Sequence, residues 1–244
     1  MTGWTVVVPL KPTHLGKSRL QVPVGLRRSL AEAFALDTLA AVRGCDLVSN
    51  VVLVTADASV SSQVVPRAGW TVLEDRPLLS RGGQNAAIGS GIAWARSRRA
   101  DSPIAVISAD LPCLTTSVLT DVLGRARDEA QSFVADAEGD GTTMLMAPSP
   151  AGLRPAFGAA SAYRHARLGH QQLRDIDVRA RRDVDTVEHF AAARAWGLGQ
   201  KTTAVWADHS STRATAVPPA TRDHGARRGA RSMAAAAGPA KVGR

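Results

Sequence analysis

Residues 4–20, "WTVVVPLKPTHLGKSRL", join an apolar run to a loop carrying Lys11, Lys17 and Arg19. The loop contains Gly16-Lys17-Ser18, the last three letters of a Walker A phosphate loop. That loop reads G-x-x-x-x-G-K-[ST], and its first glycine falls where this chain has Lys11. Without that glycine the backbone N–H groups cannot curl around a β-phosphate. The segment therefore reads as a strand leading into a basic loop, one of whose cations could reach a phosphate. A solvated surface loop is the competing reading of these residues alone.

Outward from this strand the pattern alternates. β-Branched runs recur at residues 50–56 ("NVVLVTA"), 70–74 ("WTVLE") and 104–110 ("IAVISAD"). Helix-length stretches separate them: "LRRSLAEAFALDTLAAVRG", "ASVSSQVVPRAG" and "GQNAAIGSGIAWARSRR". Such alternation predicts βαβ units and a mostly parallel sheet covered on both faces. Farther on, "LTTSVLTDVLGRARDEA" reads as a helix, "QSFVADA" and "TTMLMAP" as strands, and "SAYRHARLGH" and "TVEHFAAARAWGL" as short helices. In open α/β sheets ligands bind outside the carboxyl ends of the strands, so the loops there are the place to look for chemistry.

The bulk properties bound the rest. Of 244 residues, 45% are hydrophobic and only 4% aromatic, which predicts a core of Val, Leu, Ala and Ile. No apolar run reaches the length of a membrane span, and the N-terminus lacks a basic, cleavable leader pattern. Cys45 and Cys113 are too few for a disulfide framework and lack metal spacing, so they read as buried thiols of a cytoplasmic protein. The net charge of +9 is uneven: from Lys201 onward eight basic residues face two acidic ones, Asp208 and Asp223. The expected division is a domain over residues 1–200 and a basic Ala/Arg/Pro/Gly-rich tail over 201–244 without fixed structure. Binding of nucleic acid by that tail is the alternative reading of the charge.

Several side chains can carry chemistry at the sheet's rim. Asp110 stands where "IAVISAD" leaves the sheet, with Pro112 forcing a turn. A carboxylate there suits a hard cation such as Mg²⁺, and equally an N-cap. Asn85, after Gly82 and Gly83, could meet a nucleobase or ribose edge, or simply cap a helix. The acidic "DAEGDGTT" departs from the EF-hand template, and its threonines could bond phosphate or carboxylate oxygens. Gly158 and Ser161 fall at a helix start that favours an anion. Asp183 and Asp185 precede another helix, where either could complete a metal site with Asp110 or Asp185 could cap.

In order, "VVPLKPTHLGKSRL", "VVLVTAD", "GGQNAAI", "ISADLPCL", "DGTTMLMA", "FGAASAYRHARLGH" and "RRDVDTVEHF" resemble the 2-phospho-L-lactate or phosphoenolpyruvate guanylyltransferase family (CofC/FbiD) of coenzyme F-420 biosynthesis. The resemblance runs from Trp4 to about Trp196. It implies a Rossmann-like, GT-A-like nucleotidyltransferase fold in three layers. It also implies Mg²⁺ on Asp110 and Asp183, with Asp185 as the alternative second ligand. Thr143, Gly158 and Ser161 would bind the three-carbon acceptor; Lys17, with Lys11 and Arg19, the GTP phosphates; Asn85 the guanosine. A downstream transferase of the pathway is an implied partner. The chain departs from the family in "GGQNAAI", where Gly-Leu-Asn is usual, in "LGKSRL", where Ala-Lys is usual, and in its long tail.

The chemistry suits these residue types. A phosphate monoester is largely dianionic near neutrality, its second pKa being about 6. It can attack the α-phosphorus of GTP without a general base, and phosphoenolpyruvate, 2-phospholactate and 3-phosphoglycerate all qualify. A related nucleotidyltransferase for a molybdopterin or sugar phosphate would more often carry a Gly-rich "LAGG"-type loop, whereas this loop has only Gly16. A catalytically dead scaffold is disfavoured because the acidic ligands are all present.

Overall fold

The structure, a computed structural model, describes residues 3–64, 68–75 and 83–215. Seven strands form one sheet: β1 (Trp4–Leu10), β2 (Val48–Thr55), β3 (Trp70–Glu74), β4 (Ile104–Ile107), β5 (Ser132–Ala135), β6 (Thr142–Ala147) and β7 (Gln171–Gln172). Their order is β3-β2-β1-β4-β6-β5-β7. β1 pairs in parallel with β2 and β4, and β2 with β3. β6 runs against both β4 and β5, so its first residue, Thr142, lies at the rim where the parallel strands end.

Alternation along β1 separates two layers. Trp4, Val6 and Val8 face a core shared with helices α1 (Val24–Gly44) and α4 (Thr116–Arg125). Val7 faces the opposite core, built with α3 (Gly83–Arg98) and α5 (Ser161–Arg167). The short α2 (Ala58–Ser61) follows β2. Gly91 allows α3 to approach the sheet closely, because a Cβ there would collide with the Val7 side chain. Cys45 and Cys113 are buried and free, as expected.

The expected strands hold, β1 and β3 at the expected bounds, β2 beginning two residues earlier at Val48, and β4 ending at Ile107. β7, two residues long, carried no alternating signal. The division at residue 201 is corrected. After α6 (Val187–Trp196), helix α7 (Gln200–Thr215) packs on α1 and continues into the stretch expected to lack structure. The buried Asp37 carboxylate on α1 accepts the backbone N–H groups of Lys201 (2.9 Å) and Thr202 (2.8 Å), satisfying orphan donors at the start of α7. Trp206 packs edge-on against Phe190 at 5.0 Å between ring centres. The expectation for the tail beyond residue 215 lies outside the described residues. Among them, no helix is long and apolar enough to cross a membrane.

Candidate active site

A cleft of about 870 Å³ opens at the rim where the parallel strands end. One wall is the loop after β1, which contributes Lys11, Leu15, Lys17 and Arg19. The floor holds Asp110, Asp183 and Asp185, and the far wall Thr142, Phe157, Gly158 and Ser161.

Lys17 is the centre of the floor. Its ammonium contacts Asp110 Oδ2 and donates to Asp185 Oδ1 at 2.8 Å. Arg19 contacts the other oxygen of Asp185. Burial opposes the charge on Lys17, but the two carboxylates outweigh it and hold the lysine pKa above its ordinary value. Lys17 also adopts φ 58°, a left-handed conformation rare for a side-chain-bearing residue and often found at functional sites.

The carboxylates are not spent on helix ends. Thr115 caps α4 and Thr186 caps α6, which frees Asp110 and Asp185 from that role. Asp183 Oδ1 is buried without a hydrogen-bond partner. Burial and the neighbouring Asp110 push the Asp183 carboxyl well above the ordinary value, with Lys17 opposing them. A buried oxygen without a partner, crowded by another carboxylate, is stabilised by a hard cation, and an all-oxygen set of Asp110, Asp183 and Asp185 has the chemistry for Mg²⁺. The oxygens and nitrogen of Glu138, Asp183 and His189 also converge, within 4.8 Å of one another. Glu138 is already engaged by Arg182 at 2.6 Å.

The acidic hairpin expected as a possible ion loop is explained locally. Asp136 accepts the backbone N–H groups of Gly139 (2.6 Å), Asp140 (3.0 Å) and Gly141 (2.8 Å), which closes the turn between β5 and β6. Asp140 in turn accepts from Ala160 at 3.2 Å and ties the hairpin to the start of α5.

Two expected contacts are placed differently. Thr143 points away from the cleft, its hydroxyl donating to the Ala180 carbonyl at 2.8 Å. Because side chains alternate on a strand, its neighbour Thr142 is the one that lines the cleft. The Asn85 amide is absent from the cleft lining and is spent on backbone: Phe157 N–H donates to its oxygen at 2.9 Å, and its nitrogen donates to Phe157 O at 3.0 Å. Gly158, at φ 117°, and Ser161 line the cleft as expected. Lys11, also in the lining, is exposed.

Sequence reading missed Asp57 and His165, and of the two hairpin threonines the resemblance pointed to Thr143 where the structure places Thr142 in the cleft. Asp57 accepts from Thr13 N–H (2.6 Å) and Thr13 Oγ1 (2.8 Å), pinning the loop that carries Lys17. Asp57 and His165 each stand in a quoted motif, "VVLVTAD" and "FGAASAYRHARLGH", which was their only signal.

The family described as "Guanylyl transferase CofC like" matches residues 4–180. The "Phosphoenolpyruvate guanylyltransferase" of Streptomyces coelicolor is 42% identical over 83% of this chain and 95% of its own. The protein of the same name from Thermomonospora curvata is 39% identical over 83% and 88%. Among solved structures, a putative nucleotide-diphospho-sugar transferase from Desulfovibrio desulfuricans aligns with a TM-score of 0.61 over 88% of this chain and 98% of its own, at 14% identity. A 4-diphosphocytidyl-2C-methyl-D-erythritol synthase aligns with 0.55 over 80% and 99%, also at 14%. These two likenesses establish the nucleotidyltransferase-like fold that the family resemblance implied. The chain belongs to the CofC-like guanylyl transferase family.

Proposed function

We propose that this guanylyl transferase moves GMP from GTP to phosphoenolpyruvate, releases pyrophosphate, and serves coenzyme F-420 biosynthesis in the cytoplasm. The observation that carries the reading is the Lys17 ammonium, seated between Asp110 and Asp185 and facing a wall of Thr142, Gly158 and Ser161 across one cleft. That wall is small and polar, suited to the carboxylate and phosphate of a three-carbon acid. The names of the relatives favour phosphoenolpyruvate as that acid.

In the reaction a phosphate oxygen of the acceptor forms a bond to the α-phosphorus of GTP. The bond from that phosphorus to the α–β bridging oxygen breaks, and pyrophosphate leaves with the electron pair. The dianionic acceptor needs no general base. The remaining barrier is the approach of two polyanions in line, which the protein lowers by fixed positive charge and positioning. Lys17, held charged by its carboxylate neighbours, supplies that charge at the floor, and Arg19 and Lys11 extend it along the triphosphate. Asp110 and Asp183, with Asp185 beside them, are the residues to hold Mg²⁺. When bound, that ion neutralises phosphate charge and orients the phosphoryl group.

The test is pyrophosphate release by the purified protein with GTP and Mg²⁺. Phosphoenolpyruvate, 2-phospholactate and 3-phosphoglycerate are offered in turn, with Asp110→Ala as control. Turnover favouring phosphoenolpyruvate and lost in the variant supports the reading. Preference for either other acid, or release indifferent to Asp110→Ala, overturns it.

A further inference from the structure

His165, wholly buried behind the cleft wall, uses both ring nitrogens. The backbone N–H of Ala156 donates to its Nε2 at 2.9 Å, and its Nδ1 lies 2.9 Å from Thr142 Oγ1. A backbone N–H can only donate, so Nε2 is the acceptor and the neutral ring carries its proton on Nδ1. Nδ1–H then donates to the Thr142 hydroxyl. That hydroxyl has one proton of its own, and with a lone pair taken by His165 it is left as a donor on a residue that lines the cleft.

A second brace acts on the adjoining residue. Asn85 closes a two-bond ring with the N–H and C=O of Phe157, and the Phe157 ring meets His165 edge-on at 5.1 Å between centres. Gly158 follows directly, in a positive-φ conformation, and Ala160 is left-handed at φ 51°. Such a backbone holds its shape only when its neighbours over-determine it.

We infer that His165 and Asn85 are positioning residues for the acceptor. His165 aims the Thr142 hydroxyl proton at an anionic oxygen of the acceptor, and the two residues together hold the Ala156–Gly158 wall that the acceptor lies against. The inference rests on the reading of the cleft as an acceptor site. Neither residue touches GTP in this assignment, so their loss falls on the acceptor and not on the nucleotide. Burial, with His170 and Arg164 nearby, lowers the His165 pKa to about 4, which keeps the ring neutral at working pH and preserves its acceptor nitrogen.

Steady-state kinetics on the full chain, varying phosphoenolpyruvate and GTP separately, tests the assignment. Thr142→Val is expected to raise KM for phosphoenolpyruvate about ten- to a hundredfold, as for loss of a hydrogen bond to a charged group, with KM for GTP changed less than twofold. Thr142→Ser restores it, and Asn85→Ala raises the same constant. In wild-type protein, ¹⁵N-edited NMR of the His165 side chain is expected to show the Nδ1–H tautomer. An Nε2–H tautomer, an unchanged acceptor KM in Thr142→Val, or a matching rise for GTP overturns the inference. Should wild-type protein fail to turn over phosphoenolpyruvate, the functional reading falls. The tautomer, measured without substrate, then still decides the role of His165.

Discussion

Asp57 and Thr13, 44 residues apart, are joined twice, by the Thr13 N–H at 2.6 Å and by its hydroxyl at 2.8 Å. The same carboxylate caps α2 through Ser59 and Val60. Burial works to raise its pKa, but hydrogen bonds from Ser59 and Thr13 outweigh it and hold Asp57 well below the ordinary carboxylate value. Asp57→Ala leaves these donors without their partner. The expected result is a loss of about 2 kcal/mol in denaturant unfolding, together with a raised KM for GTP because the loop bearing Lys17 loses its anchor.

Lys17→Met keeps much of the side-chain volume and removes the charge between Asp110 and Asp185. Turnover is expected to fall about a hundredfold or more, in line with removal of one preorganised charge from a reacting centre. Single-turnover measurements at saturating GTP check this. A loss confined to KM for GTP would restrict Lys17 to binding.

Asp183 presents a different balance. Its buried, unpartnered oxygen beside Asp110 makes it unfavourable to the fold when no cation is present. Asp183→Asn is expected to stabilise the protein in chelator by about 1 kcal/mol while abolishing turnover, the trade between stability and activity found at functional sites. Thermal unfolding in EDTA, paired with the pyrophosphate assay, measures both. Chelation of wild-type protein should stop release, and added Mg²⁺ should restore it.

Acid should loosen the far wall first. His165 is lowered by burial and by the nearby His170 and Arg164; His170 is lowered by burial and Arg154. A histidine with a depressed folded-state pKa binds fewer protons folded than unfolded. Stability is therefore full above the unfolded value near 6.5 and falls with acid, most steeply between 6.5 and the His165 value of about 4. The slope is up to about 1.4 kcal/mol per pH unit per histidine. Urea midpoints between pH 7 and pH 4.5 test it, with His165→Gln flattening the decline.

Helix α7 belongs to the folded unit. Ending the chain before Gln200 uncovers Phe190 and leaves Asp37 without its two donors from the helix. The expected loss is about 3 kcal/mol or more. Ending it after Thr215 is expected to leave turnover within about twofold, since the described lining of the cleft runs from Pro9 to His189. Paired unfolding and activity measurements on the two truncations separate these effects, and loss of activity in the longer one would return the basic tail to consideration.

The alternation of "WTVVVPL", "NVVLVTA" and "IAVISAD" with helix-length segments was enough to determine a mostly parallel sheet and its functional rim, because side-chain period and burial are local properties of the chain. The basic loop and the acidic candidates were legible for the same reason: a carboxylate at a strand end announces itself. Which threonine faces the cleft was not, because β6 fixes its phase by pairing with β4 and β5, and one residue of phase separates Thr142 from Thr143. The fate of the Asn85 amide depended on Phe157, 72 residues away. The helical start of the presumed tail depended on Asp37, which is far from it in sequence. Composition and periodicity determined the layers of this protein and the kinds of groups at its rim. Only the tertiary structure decided which polar atoms meet, because hydrogen bonds and ion pairs are settled by distances of a few ångströms between residues far apart in the chain.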